Sequence, residues 1–342
     1  MHVTALNSAR LNSALATWLR GRVFLLLLVF TGIAGSQQAM AQPGELTGFS
    51  FLRMEPSARA AALGGAFNAV YGDDVNAFFY NPALANSQMH RALSVSFLNH
   101  VSDLRAGFLA YSYHAEPVGS LSFGVRYLSW GNLDETDAQG NELGSFSAND
   151  VAFTVGLSRL YSDQLYVGAN LHSIISSVDA FSASALAADV GIVYHAPNGQ
   201  FAFSTSINNL GVTLKSLGET EDELPLDFRV GVSGKLRHLP LMLTLTGYNL
   251  HDFDPAVQGA STLDQVMEHI AVGGEFQFSE SFNLRFGYNH RRHQTLKQKS
   301  RLDFAGFGFG VGLKISRIYF DYAFNSWSSL GGLNQFTLRT VM

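Results

Sequence analysis

Residues 120–130 read SLSFGVRYLSW, and their order decides the fold. Leu121, Phe123, Val125 and Tyr127 share one parity, while Ser120, Ser122, Gly124 and Arg126 share the other. A period of two marks a β-strand with one apolar face. The alternation returns in DVAFTVGLSR (150–159), LDFRVGVSG (226–234), FNLRFGYNH (282–290) and RIYFDYAFN (317–325). These strands run about 9 to 12 residues, the length that crosses a bilayer when tilted. Their polar parity carries Arg, Asp, Glu and Gly at mid-strand, which suits a wet or plugged lumen better than a solvated sheet face.

The connections decide between a barrel and a soluble sandwich. Short links such as YSDQ (161–164), APNGQ (196–200), LRHLP (236–240) and SES (279–281) alternate with long ones at 130–147, 174–184, 211–224, 251–267 and 291–303. Bacterial outer-membrane barrels have short periplasmic turns and longer outer loops, and a sandwich has no reason to alternate this way. The expected fold is all-β: a transmembrane antiparallel β-barrel of about 14 strands within 91–342. The spans are 91–99, 103–114, 119–129, 150–160, 164–174, 185–195, 200–209, 225–235, 240–250, 268–278, 282–290, 304–314, 317–325 and 333–341. Closure removes sheet edges and satisfies backbone groups that lipid cannot. Tyr127, Trp130, Tyr166, Tyr194, Tyr248, Tyr288, Tyr319 and Tyr322 fall near strand ends and read as interfacial girdles.

Composition agrees with export. The chain of 342 residues holds 33 Gly and 27 Phe but no Cys, which removes disulfides, thiol chemistry and cysteine zinc sites. Charged residues make up 14% and the net charge is −5, unlike the basic balance of a nucleic-acid binder. VFLLLLVFTGIA (23–34) follows Arg10, Arg20 and Arg22 and precedes Ala39 and Ala41 in A-x-A spacing. It reads as a Sec signal peptide, residues 1–41, cut after Ala41. The run is short for a membrane anchor, and no long apolar stretch follows it.

Residues 42–90 do not alternate. PSARAAALGGAFNAV (56–70) has Ala-rich helical character ended by Gly64-Gly65, and YGDDVNAFFYNPALANS (71–87) is apolar with turn residues. A barrel of this size encloses a lumen that wall side chains alone do not fill. The segment therefore reads as a hatch entering from the periplasmic side. Asp73, Asp74, Asn76 and Asn81, with Pro82 and Ala83, are expected to cap its turns and tie it to the wall.

The pattern SAR-x-AALGGA followed by DD-x-N-x-x-x-x-NPA resembles the N-terminal hatch of the FadL-like outer-membrane proteins. Within that fold, FSFLRMEPSARAAALGGAFNAVYGDDVNAFFYNPAL (49–84) is similar to the PorV/PorQ family of type IX secretion system proteins of Bacteroidetes-like bacteria. GNLDETDAQGNELGSFSANDVAF (131–153), INNLGV (207–212), ELPLDFRVGVS (223–233) and LGGLNQFTL (330–338) place it nearer the PorQ side. The resemblance covers the chain from about residue 48 onward. One departure is the end, TLRTVM, where many barrels finish on an aromatic; Phe336 and Leu338 are the internal substitutes. The resemblance implies a non-enzymatic barrel in the outer membrane. Such a barrel would hold a PorZ-like surface protein beside PorU- and PorV-like components, in a complex that fixes cargo to lipopolysaccharide.

The residues themselves show no catalytic pattern. GVSGK (231–235) lacks the spacing of a nucleophile elbow, and there is no P-loop or H-E-x-x-H. His290 and His293 lack a visible third ligand, so no metal and no cofactor is expected. Arg291, Arg292, Lys297, Lys299 and Arg301 form the most basic stretch, expected as an outer loop: solvated, or in contact with lipopolysaccharide phosphates or an acidic partner. Asp134, Glu135, Asp137 and Glu142 form an acidic loop on the same face, expected to dock a partner or simply to be solvated. Arg126, Asp189, Arg229, Glu275, Arg285 and Asp321 have lumen parity and should pair with one another or with the hatch. Two other readings stand beside the assembly role. One is a FadL-like transporter of hydrophobic small molecules. The other is a lipid A hydrolase, which needs a Ser/His/acid cluster at a strand end that the sequence does not display.

Overall fold

The computed structural model describes residues 49–99, 104–136, 141–218, 222–256, 261–297, 304–326 and 331–342. The expected signal peptide, residues 42–48 of the hatch, Asp137, Lys299 and Arg301 lie outside the described residues.

Fourteen antiparallel strands close into one barrel, β1 (Ala92–Asn99) pairing with β14 (Gly332–Val341). Between them run β2 (Arg105–Ala115), β3 (Gly119–Thr136), β4 (Glu142–Ser162), β5 (Leu165–Val178), β6 (Phe181–His195) and β7 (Phe201–Lys215). They continue with β8 (Asp227–Lys235), β9 (Leu241–Gly247), β10 (Ile270–Ser279), β11 (Phe282–Asn289), β12 (Phe307–Ile315) and β13 (Ile318–Ser326). Apart from the closing β1–β14 pair, each strand pairs only with its neighbours in sequence, so successive strands are joined as hairpins. Parity holds along the wall: Phe123, Phe153, Leu171 and Phe286 are exposed outward, while Ser122, Thr154, His172 and Arg285 are buried inside.

Two expected loops are strand instead. β3 and β4 continue well past the spans 119–129 and 150–160, and their ribbon pairs Asn132 with Ser147 and Asp134 with Ser145 beyond an irregularity after Ser129. β5 and β6 likewise continue to a two-residue turn, pairing Val178 with Phe181. Outside the bilayer no lipid demands an apolar face, so these pairs are held by backbone bonds that leave no period-two signature. The expected loop 291–303 begins as a helix, described below.

The described part of the hatch, residues 49–90, fills the barrel. Helix α1 (Ala58–Ala62) starts at Ser57, whose hydroxyl accepts from the Ala60 amide, and ends at Gly64 and Gly65, both at positive φ. Three 3-10 turns follow over Val75–Phe79, Pro82–Leu84 and Ser87–Met89, capped by Asp74, Asn81 and Asn86. Phe67, Phe78, Leu63 and Leu84 are fully buried. Each such side chain contributes about 1.5–3 kcal/mol when removed from water.

The segment's sense differs from the expectation of periplasmic entry. Phe49, Phe51 and Leu52 pack with Leu98, Leu128, Ile174 and Leu333, which lie in the half of their strands nearer the longer connections, the outer side of such barrels. Val75, Phe79 and Met89 pack with Ala92, Val193 and Met242 at the opposite end. The described chain thus descends from the outer mouth to enter β1 at the short-turn end.

Candidate functional site

The lumen is where the chain concentrates its charge. Arg59 of α1 donates to Glu275 of β10 at 2.8 Å, and Glu275 also accepts from Arg285 of β11 at 2.6 Å. Arg285 reaches Asp321 of β13 at 2.5 Å, and Asp321 lies 3.3 Å from Arg339 of β14. Arg339 lies 3.8 Å from Asp74, which returns to Arg59 at 3.6 Å. The six charges alternate in sign around a closed ring, and none of these residues is more than 8% exposed. Asp73 extends it, 3.7 Å from Arg339 and accepting from the Tyr319 hydroxyl at 2.8 Å. Four strands and the hatch are locked by one buried network, in which each partner offsets another's desolvation.

The rest of the wall grips the hatch through polar side chains and bare backbone. Arg126 donates to the Leu52 carbonyl at 2.9 Å and the Phe79 carbonyl at 3.2 Å, with its guanidinium over the Phe79 ring. Asn81 caps Ala83 with its oxygen and donates to the Thr205 carbonyl at 3.1 Å with its nitrogen. Asn76 donates to Ser94, and Asn170 donates to the Phe78 carbonyl. Mid-strand glycines mark where the hatch touches the wall. A Cβ on Gly287 would lie 2.1 Å from the Leu63 carbonyl carbon, and one on Gly168 would lie 2.6 Å from the Ala83 nitrogen.

Asp189 and Arg229 pair within the wall. Asp189 accepts from His172 at 2.8 Å, Asn170 at 3.0 Å and the Asn209 amide at 2.8 Å. Arg229 donates to Asp227 at 2.6 Å. All six residues with lumen parity are therefore inside. Asp74, expected as a hatch residue that ties to the wall, reaches Arg339; Arg59, Arg339 and His172 complete the networks although the sequence reading did not put them there. Arg339 and His172 carried a usable signal, since each has the parity opposite to an outward leucine, Leu338 and Leu171. Arg59 carried none, because a hatch helix obeys no wall parity.

The outer mouth is covered by a helix where the sequence suggested a loop. Helix α2 (Thr262–Met267) and helix α3 (His290–Leu296) lie over the β9–β10 and β11–β12 connections. Asn289 caps α3 by accepting from the Arg292 amide at 2.9 Å, and this turns the basic stretch inward. Arg292 reaches Glu55 at 3.3 Å, and Arg291 and Arg292 both line a lumenal cavity. Lys297 is exposed at the helix end. Asp134 and Glu135 are exposed on the β3–β4 ribbon, and Glu142 begins β4. The basic and acidic groups are not brought together in one contact among the described residues.

Two cavities meet at the Arg53–Glu55 segment. One, of about 340 Å³, is the more polar of the two, and Arg126, Arg229, Asn208, Tyr248 and Arg291 contribute to its wall. Burial pushes the Tyr248 phenol up to about 12, against the pull of its hydrogen bond to Asn289, so it remains a neutral donor. The other, of about 320 Å³, is mostly apolar, lined by Phe51, Leu98, Leu104, Leu128, Trp130 and Leu333. Both include Met54, Glu55 and Arg292, so the Glu55–Arg292 pair stands between them.

The aromatic residues divide in a way the girdle reading did not anticipate. Tyr127 and Tyr194 face outward. Tyr166 instead meets the hydroxyl of Tyr71 at 2.9 Å, Trp130 donates to Asp150, and Tyr248 and Tyr319 serve the lumen. At the short-turn end, Ser120, His114 and Glu116 form a chain of 2.9 and 3.2 Å. Ser120 is buried and lines neither of these two cavities. Among the described residues no group of three His, Asp or Glu side chains is placed to hold a metal.

A closed barrel of fourteen strands filled by its own N-terminal segment is the fold of the FadL-like barrels. The toluene transporter TbuX of Ralstonia pickettii superposes with a TM-score of 0.54 at 13% identity, over 85% of this chain and 99% of that one. A FadL homologue of Pseudomonas aeruginosa gives 0.51 at 10% identity, over 83% and 98%. The Pseudomonas putida toluene transporter TodX gives 0.51 at 12%, over 87% and 98%. No protein-family model matches the sequence, and no curated protein matches it significantly. The shared property is the fold.

Proposed function

We propose that this chain is a non-enzymatic outer-membrane component of type IX secretion, closest to PorQ within the PorV/PorQ family. Its barrel anchors a PorZ-like surface protein in company with PorU- and PorV-like components. One observation carries the reading beside the hatch motif: the hatch is locked to four strands by the ring of Arg59, Glu275, Arg285, Asp321, Arg339 and Asp74. A plug bonded in this way is a framework, and a rigid framework suits a docking platform. The β3–β4 ribbon supports the same reading, since beyond Ser129 it has no described ladder partner on the β2 side and presents Asp134, Glu135 and Leu143 to solvent.

The test is a pull-down of the tagged barrel from detergent-solubilised outer membranes, with mass spectrometry of what accompanies it. Recovery of a PorZ-like surface protein that disappears when 132–145 is replaced by a Gly-Ser turn supports the platform and locates its contact. Recovery of the barrel alone refutes it.

A transporter of hydrophobic small molecules is the second reading. The apolar cavity beside Trp130 favours it, as does a fold shared with toluene transporters. Uptake of toluene by cells that depends on this barrel would establish that reading.

A further inference from the structure

We propose that the arginine-lined cavity at the outer mouth binds a small hydroxyl-rich anion bearing a phosphate, of the size of a sugar phosphate. Five guanidinium groups, from Arg53, Arg126, Arg229, Arg291 and Arg292, line this one space against two carboxylates, Glu55 and Asp227. The whole chain carries a net charge of −5, so this concentration of positive charge runs against its overall balance. Arg229 and Arg292 have their carboxylates at 2.6 and 3.3 Å. Among the described residues, Arg53, Arg126 and Arg291 form no ion pair.

The second observation is a set of unused hydrogen-bonding atoms. Arg126 Nε, Arg291 Nη1 and Thr246 Oγ1 are buried without a hydrogen-bond partner, and all three residues line this cavity. Thr246 is 1% exposed and Arg126 4%. A buried donor left empty costs about 1–3 kcal/mol, more when it is charged. Concentrating three at one cavity is what a site built for a ligand would do. Burial, together with the like charges of Arg291 and Arg229, holds the Arg53 guanidinium below its usual value although Asp227 acts the other way.

The chemistry selects the ligand class. Planar guanidinium forks match phosphate oxygens bidentately. Asn208, Asn249 and Thr246 add hydrogen-bonding groups suited to hydroxyls, and the Tyr80 ring gives a flat face. The volume lies at the small end of ligand pockets. A long alkyl chain would belong in the neighbouring apolar cavity, behind the Glu55–Arg292 pair. The inference is independent of whether the barrel docks a surface partner.

The experiment is calorimetric titration of the purified full-length barrel in uncharged detergent with glucose 6-phosphate, inorganic phosphate, glucose and decanoate. Saturable binding of glucose 6-phosphate is expected, weaker binding of inorganic phosphate, and none of glucose. Arg291→Gln should weaken it about tenfold, the loss of one hydrogen bond to a charged group, and Thr246→Val about threefold, the loss of one to a neutral hydroxyl. Lys235→Gln, at a short turn away from the cavity, should leave it unchanged. Heat-modifiable electrophoretic mobility certifies that each variant is a folded barrel. The proposal is overturned by absent saturation, by glucose or inorganic phosphate binding as well as glucose 6-phosphate, by decanoate displacing it, or by unaltered affinity in both cavity variants.

Discussion

At the scale of single residues, the wall is legible wherever lipid imposes alternation. Arg285 could be placed inside from its neighbours Leu284 and Phe286, and its partners Glu275 and Asp321 follow from the same parity. What parity cannot tell is that Arg59, which lies in the hatch ahead of the first wall strand, completes the ring. Glu275→Gln tests that ring. It leaves Arg59 and Arg285 short of a buried carboxylate, so unfolding of the purified barrel in guanidinium should lose about 3–5 kcal/mol. An unchanged midpoint would mean that water replaces the missing charge. Gly287→Val tests the close approach of hatch and wall. Its side chain would overlap Leu63 and Gly64, and a loss of at least about 1–3 kcal/mol is expected from overpacking. Gly107→Ala, where a Cβ meets nothing within 4 Å, is the neutral comparison.

At the scale of elements, the sequence located all fourteen strands but mistook where several end. The β3–β4 ribbon was read as an acidic loop because DETDAQGNE has no alternating apolar face. Above the membrane a strand needs only its ladder, and Asp134 can pair with Ser145 without packing either side chain. The same separability gives a prediction. Joining Asn132 to Ser147 directly should leave barrel stability within about 0.5 kcal/mol, as for surface changes generally, while abolishing partner capture. A large loss of stability would assign the ribbon a folding role instead. Helix α3 was missed for the opposite reason. HRRHQTL reads as a charged loop, and only its cap at Asn289 and the cavity beneath turn it into a lid with Arg291 and Arg292 facing inward.

At the scale of the whole molecule, the hatch decides whether the barrel conducts. Its aromatic residues and the ion ring fill the lumen at mid-depth, so the protein in planar lipid bilayers should be nearly silent. Replacing 57–89 with a Gly-Ser linker should open a steady, large conductance. Porin-like currents from the unaltered protein would contradict a locked plug and favour transport.

The sequence by itself determined the class of fold, the strand count, the lumen parity and the presence of a segment meant for the interior. Those features are local: a lipid-facing surface writes period two into every strand, and short and long links write the sidedness. Only the tertiary structure decided which charges meet, that the hatch descends from the outer mouth, and that five arginines crowd one cavity. These depend on closing the barrel around a second piece of chain, which brings residues such as Arg59 and Glu275, 216 positions apart, within 2.8 Å.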